Sequence, residues 1–188
     1  MPTWAIVLIV VGAVLVLLGI WTMCTYNAFI KLRNNKEESF STMDVYMKKR
    51  YDLIPNLVET VKGYAKHENE TLEGVMKARY SCMNAKTPDE RAKGENALTS
   101  TIGRLFKISE NYPDLKANQN FMHLQKELKD LEDEIAESRK YYNGCVKILN
   151  NKVESFPSNL IAKMFKFKKA ELFEVESKEE RKVPSVKF

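Results

Sequence analysis

KKRYDLIPNL, residues 48–57, sets a proline inside a run that otherwise reads as helix. What Pro55 does there decides the fold: a helix that passes through it continues, and a helix that stops there makes a hairpin. Proline removes an amide donor, crowds the turn before it and pushes the preceding residue out of the helical region. In the first turn of a helix those losses matter little, and Asp52 is a side chain able to accept from the free amides of such a turn. Three cations, a tyrosine and an aspartate could also form the mouth of an active site. The simpler reading is a hairpin bend at Asp52 to Pro55.

Outward from that bend, Val58, Val61, Ala65, Glu68, Leu72, Val75, Arg79 and Cys82 recur at steps of three and four, the spacing of a second helix. Thr87-Pro88 and Asn111-Tyr112-Pro113-Asp114 supply two more breaks, with Thr87 and Asp114 as candidate caps. Leu98, Ile102, Leu105 and Tyr112 mark a third helix. Leu124, Leu128, Leu131, Ile135, Ser138, Tyr142, Cys145 and Leu149 form an unbroken seam in a fourth, and residues 26–49 make the first. Short connections make sequential helices antiparallel neighbours. The pattern predicts an all-α fold, a four-helix up-down-up-down antiparallel bundle.

The first helix continues from an apolar segment. No charged residue occurs from Trp4 to Thr25, and at about 1.5 Å per residue the stretch is roughly 33 Å long, enough to cross a hydrocarbon core. Trp4 and Trp21 stand near its two ends, where amphipathic rings favour the headgroup region. A basic n-region and a small-residue cleavage site, the marks of a cleaved signal, are both missing. Lys31, Arg33, Lys36, Lys48, Lys49 and Arg50 follow the segment and no cation precedes it, which predicts a single-pass anchor with the N-terminus outside and the bundle in the cytoplasm. Three widely spaced cysteines, Cys24, Cys82 and Cys145, fit a reducing compartment.

YNAFIKLRNN, DVYMKKRYDLIPNLVETVKGYAKHE, ALTSTIGRLFKISENYPDLKANQNFMHLQKELKDLEDEIAESRKYYN and SFPSNLIAKMFKF, taken in order, resemble the bacterial LemA family from Tyr26 to Phe173. The resemblance implies a transmembrane helix at the N-terminus, the N-terminus outside, and a cytoplasmic bundle of long antiparallel helices in the bacterial cell membrane. It implies no reaction and brings no catalytic residues. Lys36 departs from the family pattern, which has an apolar residue there.

The chemical inventory agrees. His67 and His123 lie in no HExxH or Glu-x-x-His arrangement, and HENE at 67–70 reads as a solvated helix face, so no metal is expected. No glycine-rich phosphate loop or GxSxG elbow occurs, so neither cofactor nor catalytic residue is assigned. The formal net charge of +5 is spread among 25 acidic residues without a nucleic-acid-binding motif. Attraction to an anionic leaflet is the simpler use for the lysines.

The sequence therefore divides into an anchor at 1–25, a bundle at 26–156, a basic amphipathic membrane-proximal segment at 157–173 and a charged, disordered tail at 174–188. With the first and third bends at one end, Tyr51, Asp52 and Asn56 are expected to face Tyr112, Asp114, Asn118 and Asn120 in a polar, aromatic tip; capping and turn chemistry is its simpler use, and docking a partner is the sharper alternative. Lipid contact is expected from Trp4, Trp21, Lys163, Phe165, Lys166, Phe167, Lys168 and Lys169. In that segment Leu160, Ile161, Met164 and Phe165 share one helical face, which could alternatively fold back on the bundle base or onto a neighbouring copy of the protein. An interhelical ion pair is expected among Arg33, Lys36 and Glu68 or between Asp44 and Arg104. The functional expectation is a non-enzymatic, envelope-associated scaffold that assembles with itself; a regulatory or adaptor subunit of a membrane enzyme such as a protease is the second reading. The expected partners are membrane lipid, a second copy and a membrane protein, not nucleic acid.

Overall fold

A computed structural model describes residues 2–173, apart from the side chains of residues 88 and 89. The tail expected from residue 174 onward lies outside the described residues. The described chain is all-helical: α1 Thr3–Lys62, α2 Asn69–Met83, α3 Pro88–Ser109, α4 Pro113–Lys116, α5 Gln119–Glu154 and α6 Ser158–Met164.

The bend expected at Asp52–Pro55 does not form. Pro55 lies inside α1, which runs for 60 residues and ends only at Lys62. Two features carry the helix through the proline. The amide lost at Pro55 would have bonded the carbonyl of Tyr51, four residues back; that carbonyl instead accepts from Arg79 Nε at 2.7 Å. The buried stripe Met43, Met47, Tyr51, Ile54, Val58 and Val61 also keeps its helical spacing across the proline. Each buried aliphatic side chain contributes about 1.5–3 kcal/mol, against about 3 kcal/mol for an interior proline, so breaking the stripe is the dearer choice.

The chain turns instead at residues 63–68. The last turn of α1 tightens there, with Tyr64 N–H on Val61 O at 3.0 Å and Ala65 N–H on the same oxygen at 2.8 Å. The expected second helix is therefore split: Val58 and Val61 belong to α1, Ala65 plugs the turn, and Leu72, Val75 and Cys82 belong to α2, all of them buried. The burial pattern survives where the helix assignment does not.

Thr87 caps α3 as its sequence foretold, its Oγ1 accepting from Glu90 N–H at 3.1 Å. Asp114 caps nothing of that kind; it lies in the single turn of α4. The cap of α5 is Asn118, whose Oδ1 accepts from Phe121 N–H at 3.0 Å. Along α5, Leu128, Leu131, Ile135, Tyr142, Cys145 and Leu149 are buried, in agreement with the seam.

The described residues form two compact units, residues up to Ser41 with Lys140–Leu172, and Thr42–Arg139 with Phe173. In the first, Phe29, Leu149, Ile161 and Ala162 make a core against which Trp21, Leu32, Val153, Phe167 and Ala170 pack. In the second, α1, α2, α3 and α5 contribute Met47, Leu57, Val75, Leu98, Leu105, Phe121 and Ile135 among other buried side chains. The apolar start of α1 is long enough to span a membrane and none of it is buried within the protein. Val7, Leu8, Leu15 and Leu17 lie bare; lipid is the solvent such a surface calls for.

Candidate functional site

The most concentrated polar chemistry lies inside the Thr42–Arg139 unit. Arg50 and Glu95 are each 1% exposed. One guanidinium nitrogen of Arg50 donates to Glu95; the other donates to Glu132 and, at 3.1 Å, to Thr99 Oγ1. Thr99 in turn donates to Glu132 at 3.1 Å, and the Tyr51 hydroxyl donates to Glu95. Three helices thus supply one node, α1 with Arg50 and Tyr51, α3 with Glu95 and Thr99, and α5 with Glu132. The α2 helix comes close enough to join it because residue 94 is glycine. A Cβ there would stand 3.1 Å from Cys82 Sγ and 3.3 Å from Cys82 Cα.

The node holds one cation and two carboxylates, and its neighbours feel the imbalance. Burial first, then the Glu95 charge, pushes the Cys82 thiol up to about 12. The same causes in the same order raise the Tyr51 hydroxyl above its ordinary value. At neutral pH both are therefore protonated, and both carboxylates are engaged by Arg50. Such an arrangement offers no activated nucleophile; it fixes three helices against one another, since removing one partner of a buried pair costs about 3–5 kcal/mol.

The ion pairs expected from the sequence take other partners. Asp44 pairs with Arg91 at 2.5 Å, not with Arg104, which is exposed. Glu68 accepts from the Tyr112 hydroxyl at 3.1 Å, and Lys36 lies 4.0 Å from the adjacent Glu37. The Arg50 node was missed for one reason: a helix ended at residue 49 leaves Arg50 in a basic surface triplet. Only Lys48 and Lys49 are exposed. The signal was present, because position 50 continues the 43, 47 stripe and Glu95 falls between the buried Ala92 and Leu98.

The expected tip is half assembled. Tyr112 and Asn118 do meet the first turn, but that turn is 63–68: Asn118 Nδ2 donates to the Tyr64 hydroxyl at 2.9 Å, beside the Tyr112–Glu68 bond. Tyr51 is buried in the node, and Asp52 and Asn56 are exposed on α1, about three and about two helical turns before the turn. Asp114 and Asn120 are exposed. Partial desolvation and the Glu68 carboxylate raise the Tyr112 hydroxyl.

Of the expected lipid contacts, Trp4 is bare and Trp21 packs partly against the Phe29 core. Phe167 stacks on Phe29 with ring centroids 4.7 Å apart, and Phe165 lies 4.7 Å from the Tyr26 ring. The face of residues 160–165 is divided: Ile161 is buried with Phe29, while Leu160, Met164 and part of Phe165 remain open. Lys163, Lys166, Lys168 and Lys169 are exposed, and Lys169 pairs with Glu154 at 2.6 Å. Asn150 straps the following chain to α5, donating to Ala170 O at 2.9 Å and accepting from Ala170 N–H at 2.8 Å. No group of three or more His, Cys, Asp and Glu suited to a metal occurs among the described residues.

A sequence profile of the LemA family matches residues 39–188. Among curated proteins, magnetosome protein MamQ 2 of Paramagnetospirillum magneticum is 23% identical over 92% of this chain and 73% of its own length. Protein LemA of Metamycoplasma hominis is 28% identical over 72% of this chain and 63% of its own. Magnetosome protein MamQ of Magnetospirillum gryphiswaldense is 24% identical over 79% of this chain and 64% of its own.

Proposed function

Because the chain belongs to the LemA family, we propose that it is a single-pass membrane protein whose helical bundle acts as a self-assembling scaffold at the bacterial cell membrane, without catalytic chemistry of its own. The observation that carries this reading is that one uninterrupted helix, α1, bears both the bare apolar span and the Arg50 node. An interior whose buried polar groups clamp three helices together, on the helix that also carries the apolar span, suits a structural element.

The contact register supports an up-down-up-down bundle. Arg50 with Glu132 and Tyr64 with Asn118 run α1 and α5 in opposite senses, whereas Asp44 with Arg91 and Arg50 with Thr99 run α1 and α3 in the same sense. The cations after the span favour a cytoplasmic bundle and an external N-terminus. The MamQ relatives are named for a structure, the magnetosome, and not for a reaction. The 157–173 segment, with its lysines exposed, serves as the membrane-proximal base in this reading.

In-cell crosslinking followed by purification of native complexes tests the proposal: a ladder of self-adducts supports the scaffold. A single stoichiometric foreign protein would replace it with the adaptor reading, which the exposed Tyr64, Asp114 and Asn120 at the 63–68 and 111–120 turns favour. Topology is checked by cysteines placed at Thr3 and Glu73 in a chain lacking its own. An impermeant reagent is expected to label the first in intact cells and spare the second; the reverse pattern overturns the orientation.

A further inference from the structure

Just past the apolar span, the unit that contains residues up to Ser41 has a cavity of about 390 Å³. Five cations line it, Arg33 and Lys36 from α1, and Lys166, Lys168 and Lys169 from the strap after α6. Lys169 is balanced by Glu154 at 2.6 Å, and Lys36 has only the adjacent Glu37 at 4.0 Å. Arg33, Lys166 and Lys168 have no carboxylate partner among the described residues. The remaining wall is apolar and aromatic, with Tyr26, Ile30 and Phe165, and the Tyr26 and Phe165 rings touch. Like charges gathered around a hollow repel one another unless an anion joins them.

The backbone shows that this arrangement is held. Lys166 has φ 59°, the left-handed conformation, and is the sole non-glycine residue of positive φ among the described residues. It occupies the position after the α6 cap that glycine usually fills: Phe167 N–H reaches Ala162 O at 2.9 Å and Lys166 N–H reaches Lys163 O at 3.3 Å, the pairing of a Schellman motif. A lysine is a poor choice for that backbone and a good one for the cavity it lines. The Asn150–Ala170 bonds fix the far end of the same strap.

We infer that this cavity binds a phosphate-bearing anion, and that its ligand is the headgroup of an anionic lipid. The lipid assignment rests on the membrane-anchored reading of α1. Arg33 supplies a planar donor fork for phosphate, the lysines supply charge, and the Tyr26–Ile30–Phe165 wall accepts the glycerol and first methylenes. A zwitterionic headgroup carries its own cation toward the same lysines, so the pocket selects net negative charge.

The test uses full-length protein in mild detergent, offered equal amounts of phosphatidylglycerol and phosphatidylcholine of one chain length, with retained lipid read by native mass spectrometry. Preferential retention of phosphatidylglycerol is expected, weakened about fivefold in Lys166→Gly and in Arg33→Gln but not in the distant Lys48→Gln. Lys166→Gly is expected to melt no lower than the parent, because glycine suits the left-handed position, so its loss of lipid cannot be ascribed to unfolding. Equal retention of both lipids, or undiminished phosphatidylglycerol binding in both variants, overturns the proposal. Orthophosphate that binds in an Arg33- and Lys166-dependent way, without any lipid preference, overturns the lipid assignment and makes the ligand a soluble phosphate. Carbonate washing of membranes separates the two readings: protein that stays in the membrane but shows no lipid preference sinks the pocket alone, and protein that washes off sinks the anchor.

Discussion

Arg79 Nε donates to the carbonyl oxygen of Tyr51 at 2.7 Å, and Tyr51 is the residue whose carbonyl Pro55 leaves without its helical partner. A side chain from α2 thus replaces a backbone amide of α1. The proline that reads as a helix breaker is instead a place where a second helix is tied to the first.

Removing that tie leaves a carbonyl of a buried residue unsatisfied. Arg79→Met is expected to lower stability by about 1–3 kcal/mol. Pro55→Ala restores an amide at the right position, so Arg79→Met in the Pro55→Ala background is expected to cost less than half as much. Denaturant unfolding of the two single variants and the double variant closes the cycle. Equal costs in both backgrounds would show that Arg79 acts elsewhere.

The Arg50 node predicts a larger asymmetry. Arg50→Met strands two carboxylates, one of them fully buried, and is expected to cost about 3–5 kcal/mol. Adding Glu95→Gln removes the buried charge and is expected to recover part of that loss. A double variant no more stable than Arg50→Met would mean that Glu95 is not the group harmed.

Alkaline pH reports on the same node through Cys82. Its thiol stands at about 12 in the fold, against 9.0 for an unperturbed thiol. The unfolded chain therefore releases the proton first. The stabilisation is complete below pH 9 and declines as pH rises toward 12, with Tyr51 adding a decline of the same sign above pH 10, its ordinary value. Cys82→Ala is expected to move the onset of alkaline destabilisation upward toward the tyrosine range. An unchanged onset in the variant would assign the effect to other groups.

The parts legible in the sequence were those set by periodicity. Val58, Val61, Ala65, Leu72, Val75 and Cys82 are buried as their spacing requires, although the chain turns among them and not before them. Local chemistry misled at Pro55, where the deciding group, Arg79, lies 28 residues from the carbonyl it satisfies. The same error hid Arg50 and moved one side of the tip. The cation cavity was half visible: the lysines of 166–169 stood out as a basic run, but nothing local brings Arg33 and Lys36 to them.

The tip separates two readings that stability alone confuses. Tyr112 and Asn118 hold the turns together, through Glu68, Tyr64 and the cap on Phe121, so Tyr112→Phe and Asn118→Ala are each expected to cost about 0.5–2 kcal/mol whatever the tip does. Asp114 and Asn120 are exposed beside them, and their replacement by alanine is expected to change stability by less than about 0.5 kcal/mol. If the tip docks a partner, Asp114→Ala and Asn120→Ala together remove a crosslinked adduct while the melting midpoint stays put. If every adduct survives in that pair, the turns are capping chemistry, and the self-contacts of the scaffold must be sought elsewhere on the helices.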